Sequence, residues 1–328
     1  VKAWQVTSNG EPADVMRLTQ CPEPPVRPGH LQVRVRAVAL NFPDVLMARG
    51  QYQVRPDLPF TPGVEVCGDV LEVGEGVQGF AVGDRVVGTA AVPDGGLAQV
   101  CLMPAAGAFA APPSLSDAEA SALTIGYQTA YVGLVRRAAL QAGETLLVHA
   151  AAGGVGLAAV QVGKALGARV VAVVGNAAKG EVARLAGADV VVDRSGGDLV
   201  AALKEAVGRA GADVVFDPVG GPAFDASTKV IAFEGRIVIV GFASGTIPSP
   251  ALSHALVKNY SLLGLHWGLY LQRDHAVAAD AHARLSEWAA AGVIKPHVSQ
   301  QVPFEAATSA LTRLGAGEST GRIVVLGA

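Results

Sequence analysis

The chain has 328 residues, 51% of them apolar, and a formal net charge of −3. That length and apolar content suffice for a large core and predict two domains. Lys and Arg are spread along the chain, which argues against a nucleic-acid or membrane-surface partner. No uninterrupted apolar run reaches the roughly 20 residues of a membrane helix. The opening VKAWQVTSNG lacks the basic-then-apolar layout of a secretory leader. Cys21, Cys67 and Cys101 are odd in number and widely spaced, the pattern of a reduced cytoplasmic protein without a disulfide framework.

Up to about Ala120 the pattern is strands and turns. LQVRVRAVAL alternates Leu31, Val33, Val35, Ala37 and Ala39 with Gln32, Arg34 and Arg36, the period of two of a half-buried strand. VCGDVLEVGEGVQGFAVGDRVVG follows, its Val-rich pieces punctuated by turn glycines, and predicts a small barrel-like β unit. The texture changes near Ile125. From Glu144 onward LLVHA, RVVAVVG, DVVVD, ADVVFD, GRIVIVGF and SLLGLHW read as strands alternating with amphipathic helices. Their near-continuous apolar character fits a parallel sheet covered on both faces, a doubly wound α/β nucleotide-binding unit. Helical patterns over 274–291 and 304–314 and a last strand, GRIVVLG, close the chain.

HAAAGGVGLAAVQVGKALGARVVAVVGNAAKG, from His149 to Gly180, carries the chemistry. The register G-x-G-x-x-G falls on Ala151, Gly153 and Gly156, with Gly154 extra. The turn between LLVHA and a helix over 155–167 must set backbone N–H groups against a pyrophosphate. Gly153 and Gly154 permit close approach, Gly156 lets the helix pack on the sheet, and Ala151 can replace the first glycine at negative φ. A glycine-rich turn without a ligand is the plainer alternative. The second strand ends at Gly175, in GNAAKG, where an NAD site places an Asp or Glu on the ribose. With no carboxylate there, and with Lys179 and Arg194 nearby, NADP(H) is favoured over NAD(H). Singly, each of those cations would read as solvated surface charge.

VALNFPDVLMARGQY, LPFTPGVEVCGDVLEVGEGV, GDRVVG, GGLAQV, LTIGYQTAYVGL, HAAAGGVGLAAVQVGKALGA, FDPVGG, GRIVIVGF and TGRIVVL follow one another along nearly the whole chain. In that order and approximate spacing they resemble the zinc-independent quinone oxidoreductase (zeta-crystallin-like) branch of the medium-chain dehydrogenase/reductase superfamily. The resemblance implies a Rossmann NADPH-binding domain over 125–267. It also implies a GroES-like β-barrel domain split between 1–124 and 268–328. A homodimer joined through the Rossmann sheet edges is expected, with 260–267 as the candidate edge.

Zinc-dependent relatives in this superfamily carry Cys where Asn41 stands and His where Val64 stands, and their cysteine-rich lobe has no counterpart between residues 84 and 101. Asp44 and Glu65 remain, but a catalytic zinc needs about three protein ligands, so no metal is expected. Cys67 reads as a small buried hydrophobe. Without a Lewis acid, alcohol oxidation is difficult, whereas a quinone or α,β-unsaturated carbonyl accepts hydride at a conjugated position. The site then has to align the reactants and offer hydrogen bonds to a developing oxyanion.

The resemblance places Asn41, Asp44, Tyr52 and Thr129 around that site. Asn41 would donate its amide to ribose or substrate, Asp44 would hold its neighbours in place, Tyr52 would donate to the acceptor oxygen, and Thr129 would anchor the nicotinamide-ribose end. Turn-forming, capping and rim roles are the plainer readings. Leu46 stands where some relatives have tyrosine. By the same resemblance Val155, Asn176, Val219, Gly241 and Phe242 join Gly153, Gly154, Gly156, Gly175, Lys179 and Arg194 at the coenzyme, and Trp267 of GLHWG walls the pocket. His149 reads as a satisfied core histidine, His266 as structural or surface, and His275 and His282 as solvated. The expected activity is hydride transfer from NADPH to a small-molecule quinone or enone. The alternatives are an enone or enoyl-thioester double-bond reductase, and an NADPH-binding sensor or structural protein with little turnover.

Overall fold

The computed structural model describes residues 1–327. The chain divides into two compact units, Val1–Ile125 with Leu271–Ala328, and Gly126–Tyr270. Among the described residues the first unit holds an antiparallel pair, β1 (Lys2–Val6) and β2 (Met16–Gln20), and a larger sheet. Six strands of that sheet, β3 (His30–Ala39), β4 (Glu65–Val73), β5 (Arg85–Thr89), β7 (Ala108–Ala110), β14 (Val298–Val302) and β15 (Arg322–Leu326), lie in the order β14-β15-β3-β4-β5-β7. A seventh, β6 (Val100–Pro104), pairs with β3. Isolated bridges, Ala3 to Ala98 and Val6 to Phe60, tie β1 to the segments beside this sheet.

The ten residues of β3 explain its central place. One edge pairs with β4 along its length; the other carries β6 on His30–Arg34 and β15 on Ala37–Ala39. Leu31, Val33, Val35, Ala37 and Ala39 are all buried while Arg34 and Arg36 are exposed, as the alternation predicts; Gln32, expected on the same face as the arginines, is buried instead, its amide donating to the Pro24 carbonyl at 2.9 Å. The last strand of the chain thus completes the sheet of the first unit.

In the second unit six strands are parallel among the described residues: β8 (Thr145–Val148), β9 (Arg169–Val174), β10 (Val190–Asp193), β11 (Ala212–Asp217), β12 (Ile231–Ile239) and β13 (Ser261–Gly264). Their order, β10-β9-β8-β11-β12-β13, reverses direction between β8 and β11. That is the Rossmann arrangement, whose ligand crevice lies beyond the carboxyl ends of the strands. Helices Gly154–Ala165, Ala177–Leu185, Leu199–Val207, Gly221–Val230 and Leu252–Lys258 connect them. Leu147, Val171, Val173, Val215, Phe224 and Ile237 pack into one buried cluster, which is why the strands read as unbroken apolar runs.

Local departures have local causes. SLLGLHW does not run as one strand: β13 stops at Gly264, and Trp267 beyond it donates its indole N–H to Gln128 Oε1 at 3.1 Å. The 304–314 pattern divides into a 3₁₀ turn, Phe304–Ala306, and a helix, Ala307–Gly315. His275 is exposed as expected, but His282 is not solvated. Its ring stacks on Phe109 at 4.6 Å between centroids, and Nε2 donates to the Ala110 carbonyl at 2.9 Å. Burial pulls its pKa below the ordinary histidine value.

Candidate functional site

The glycine loop follows β8. Gly153 is the N-cap of helix Gly154–Ala165, so the first-turn N–H groups of Gly154, Val155 and Gly156 have no partner within the helix and point from its positive end. A Cβ on Gly156 would lie 2.1 Å from the Ala150 carbonyl oxygen and 2.9 Å from the Ala151 Cα. Only glycine lets the helix sit this close to the loop. The strained position is not Ala151 but Ala150, at φ 49°. His149, beneath the loop, is buried. Its Nε2 stands 2.7 Å from Ser227 Oγ, which itself donates to the Ala223 carbonyl, so the ring must donate to the serine. It is a satisfied core histidine, and burial lowers its pKa.

The other candidates of this unit stand at the same carboxyl edge. Gly175 follows β9, and a Cβ there would meet the Arg194 guanidinium Nε at 3.6 Å. Arg194 itself follows β10 in a 3₁₀ turn. The Asn176 side chain accepts from the Lys179 N–H at 2.9 Å, capping helix Ala177–Leu185 and turning the chain after Gly175. Asp217, at the end of β11, was not among the sequence-read candidates. It is buried and accepts the N–H groups of Val219 and Gly220 at 2.8 and 3.0 Å, fixing the FDPVGG turn. Its carbonyl takes the Val240 N–H, and the Pro218 carbonyl takes that of Ala243, so Gly241 and Phe242 continue the alignment past β12. Trp267, expected to wall the pocket, is buried and donates its indole N–H to Gln128 Oε1. Thr129 is nearly buried on helix Thr124–Tyr131, one residue after that glutamine. The Tyr127 hydroxyl ties this helix to Gln161 Oε1 of helix Gly154–Ala165 at 2.9 Å.

Asn41, Asp44 and Tyr52 belong to the first unit. Asn41 precedes helix Phe42–Ala48, where Asp44 Oδ2 accepts its backbone N–H at 2.8 Å. Asp44 Oδ1 accepts the N–H groups of Gly63 and Val64 at 2.9 and 3.1 Å. The carboxylate is a staple between the helix start and the 63–64 turn. Burial pushes its pKa up to about 6, against the pull of those three N–H groups and of Arg322. The Asn41 amide donates to the Ala39 carbonyl at 3.0 Å and to Glu65 Oε2 at 2.9 Å. This corrects the expectation of Asn41 as a donor to ribose or substrate, since both amide hydrogens are already committed. Tyr52 is half-buried against the core of its unit, and burial and the Asp44 charge raise its pKa, which keeps the phenol a donor at neutral pH.

Two further residues complete this cluster. Glu65 is fully buried, accepts the Ile125 N–H at 2.7 Å through Oε1, and pairs through Oε2 with the Arg322 guanidinium of β15. Burial raises the Glu65 pKa, opposed first by Arg322 and then by Asn41. Arg322 lies 257 positions from its partner, so no local motif could have announced it. Cys67 is buried and its thiol is pushed up to about 12, an inert side chain. Among the described residues, no three His, Cys, Asp or Glu side chains stand close enough together to hold a metal ion.

Residues 27–132 match the alcohol dehydrogenase GroES-like domain family, and residues 154–287 match the zinc-binding dehydrogenase family. A curated relative, quinone oxidoreductase-like protein 2 of Bos taurus, is 39% identical over 302 residues, covering 92% of this chain and 86% of that protein. The Escherichia coli quinone oxidoreductase complexed with NADPH superposes with a TM-score of 0.90 at 31% identity, over 99% of this chain and 100% of that one. A mycobacterial protein complexed with NADPH gives 0.92 at 32%, over the same shares. These matches define an oxidoreductase fold of the medium-chain dehydrogenase/reductase superfamily. Within that superfamily, this chain belongs to the quinone oxidoreductase-like branch.

Proposed function

We propose that this protein is an NADPH-dependent reductase of quinones or other conjugated carbonyl compounds that works without a metal. The observation that carries the coenzyme reading is Gly175 beneath the Arg194 guanidinium, at the strand end where an NAD site keeps a carboxylate. A 2′-phosphate would meet the Arg194 guanidinium there. The N-terminus of helix Gly154–Ala165, which Gly156 brings close to the loop, suits the pyrophosphate. Val219, Gly241 and Phe242 lie at the strand ends where the nicotinamide half would sit, and Thr129 would hold its ribose. Bound NADPH supplies the hydride.

The metal-free reading rests on Asn41 and Val64 at the two ligand positions of zinc-dependent relatives, and on Asp44 and Glu65 being saturated by N–H groups and Arg322. Polarisation of the acceptor oxygen then falls to a neutral donor, and this reading assigns it to the Tyr52 hydroxyl. Removing a hydrogen bond that strengthens in the transition state costs about 1–3 kcal/mol, or roughly ten- to a hundredfold in rate. Tyr52→Phe should slow enone reduction by that factor, slow strongly oxidising quinones less, and leave NADPH affinity unchanged. Steady-state NADPH oxidation against panels of quinones and enones tests both the activity and this role. No turnover with any acceptor defeats the activity, and equal rates for wild type and Tyr52→Phe defeat the role.

A homodimer is part of this reading. The outer edge of β13 has no strand partner among the described residues and carries neither charge nor proline, the usual guards of an edge. Beside it in sequence, helix Leu252–Lys258 turns His254 and Lys258 toward its own unit and leaves Leu252, Leu256 and Val257 74–77% exposed. An uncharged edge can pair with its own copy about a two-fold axis. Sedimentation equilibrium returning only the mass of a single chain would sink the dimer.

A further inference from the structure

We propose that Glu65 is a positioning residue of this site: its carboxylate locks the Asn41 side chain so that Asn41 meets a ligand only as a hydrogen-bond acceptor. This rests on the expectation, carried into the proposed function, that Asn41 lies at the coenzyme's ribose. An asparagine amide can rotate to exchange its oxygen and its NH2, and what it then offers a ligand changes from acceptor to donor. Here the choice is made by the surroundings. The NH2 faces the Ala39 carbonyl at 3.0 Å and Glu65 Oε2 at 2.9 Å, neither of which can donate. The rotated form would set Oδ1 against both of them. The Asn41 backbone is held as well, its N–H on Asp44 Oδ2 at 2.8 Å. Oδ1 is what remains; it faces the Asp44 N–H in the capping box of helix Phe42–Ala48, and its other lone pair can accept from a ligand hydroxyl, such as that of a sugar, and not from a carbonyl.

Only a carboxylate can hold this arrangement. Glu65 receives donors on both oxygens: the Ile125 N–H on Oε1, and the Asn41 amide and the Arg322 guanidinium on Oε2. A glutamine of the same size would have to turn its NH2 toward one of these donors. If toward Ile125, the first turn of helix Thr124–Tyr131 loses its acceptor. If toward Asn41, the asparagine amide is repelled and rotates. The same carboxylate thus orders Asn41 and the start of the helix that carries Thr129.

The test is a double-mutant cycle of Glu65→Gln and Asn41→Ala on the full-length protein, reading NADPH Kd, acceptor KM, kcat and Tm. Glu65→Gln should weaken NADPH binding by about tenfold in the wild-type background, the size of one lost hydrogen bond, and leave acceptor KM nearly unchanged. In the Asn41→Ala background the same change should shift binding less than about twofold, because the residue it acts through is gone. Its cost in Tm should appear in both backgrounds. Equal binding losses in both backgrounds, or none in either, overturn the proposal. Should Glu65→Gln fail to fold, side-chain amide exchange by NMR decides it on the wild type. Two slowly exchanging Asn41 Nδ2 protons, assigned by their loss in Asn41→Ala, support the lock, and solvent-fast exchange refutes it. If NADPH does not bind at all, the coenzyme reading fails, and the exchange measurement still tests the lock.

Discussion

The two units arrange their candidate residues by opposite means. In the second, the parts are backbone: helix-end N–H groups, a glycine against a carbonyl, turns that run on from strand ends. In the first, they are buried side chains, with Asp44 and Glu65 each accepting several donors and Arg322 balancing one of them. Backbone sites depend on close approach and are broken by added volume. Side-chain clusters depend on charge and are broken by removing a partner. The variants below should therefore damage the two units in different observables, stability in the first and coenzyme affinity in the second.

Arg322→Met should have the largest effect. It leaves Glu65 buried without its counter-charge, and breaking such a pair costs about 3–5 kcal/mol. Urea denaturation measures the loss, which should deepen as pH rises because Glu65 is then held as an unpaired anion. A loss under about 1 kcal/mol would mean that Arg322 packs but does not balance charge.

Next comes the pH dependence of Asp44. Its folded-state pKa, raised to about 6, lies above the ordinary carboxyl value. The folded protein therefore binds this proton more tightly than the unfolded chain does. The associated stability is fully present below about pH 4 and is lost as pH rises through about 6, by up to roughly 3 kcal/mol. Asp44→Asn cannot ionise, so the stability of wild type relative to this variant should fall across that window. A pH-independent difference would show that the three N–H donors offset burial, and a difference that rises with pH would show that they outweigh it.

In the second unit, Gly156→Ala sets a methyl 2.1 Å from the Ala150 carbonyl oxygen, and the loop has to move. NADPH affinity by calorimetry should fall well over tenfold, or more than about 1.4 kcal/mol. Wild-type affinity in a folded variant would place the phosphates elsewhere. The smallest change expected is with Arg194→Gln, which removes one exposed cation above Gly175. It should weaken NADPH about tenfold while leaving NADH nearly unchanged, the range of a charge-assisted hydrogen bond. Equal losses for both coenzymes would move Arg194 from selection to general binding.

The same contrast explains what could be read from the sequence. The second unit is spelled by neighbours: a strand, a glycine turn and a helix within some thirty residues, so the parallel sheet and the Gly153–Gly156 turn were legible. The missing acid after β9 was legible too, because an expected residue type was absent at a known strand end. The sequence singled out Asn41, but its amide was expected to donate outward, and it donates inward to Ala39 and Glu65. Which way an amide points depends on Glu65, which stands 24 residues away and meets it only across the β3–β4 pairing. Arg322 was invisible for the same reason, since β15 reaches β3 from the far end of the chain. His282 was misplaced because a ring on a mixed surface pattern buries or projects according to one tertiary partner, here Phe109.

The pairing of β15 with β3 has a consequence for synthesis. A ribosome adds about 5–20 residues each second, and segments pack as they emerge. The second unit is one continuous stretch of chain and can close on itself as soon as it has been translated. The first unit has most of its strands made long before that, yet its sheet and the counter-charge of Glu65 wait for residue 322. For much of translation the earliest-made strands are the unfinished ones, and β3 presents an open edge along Ala37–Ala39 that β15 alone fills. A nascent chain stalled before β15 would therefore carry a finished coenzyme unit beside an incomplete one, the form that holdase chaperones and proteases recognise.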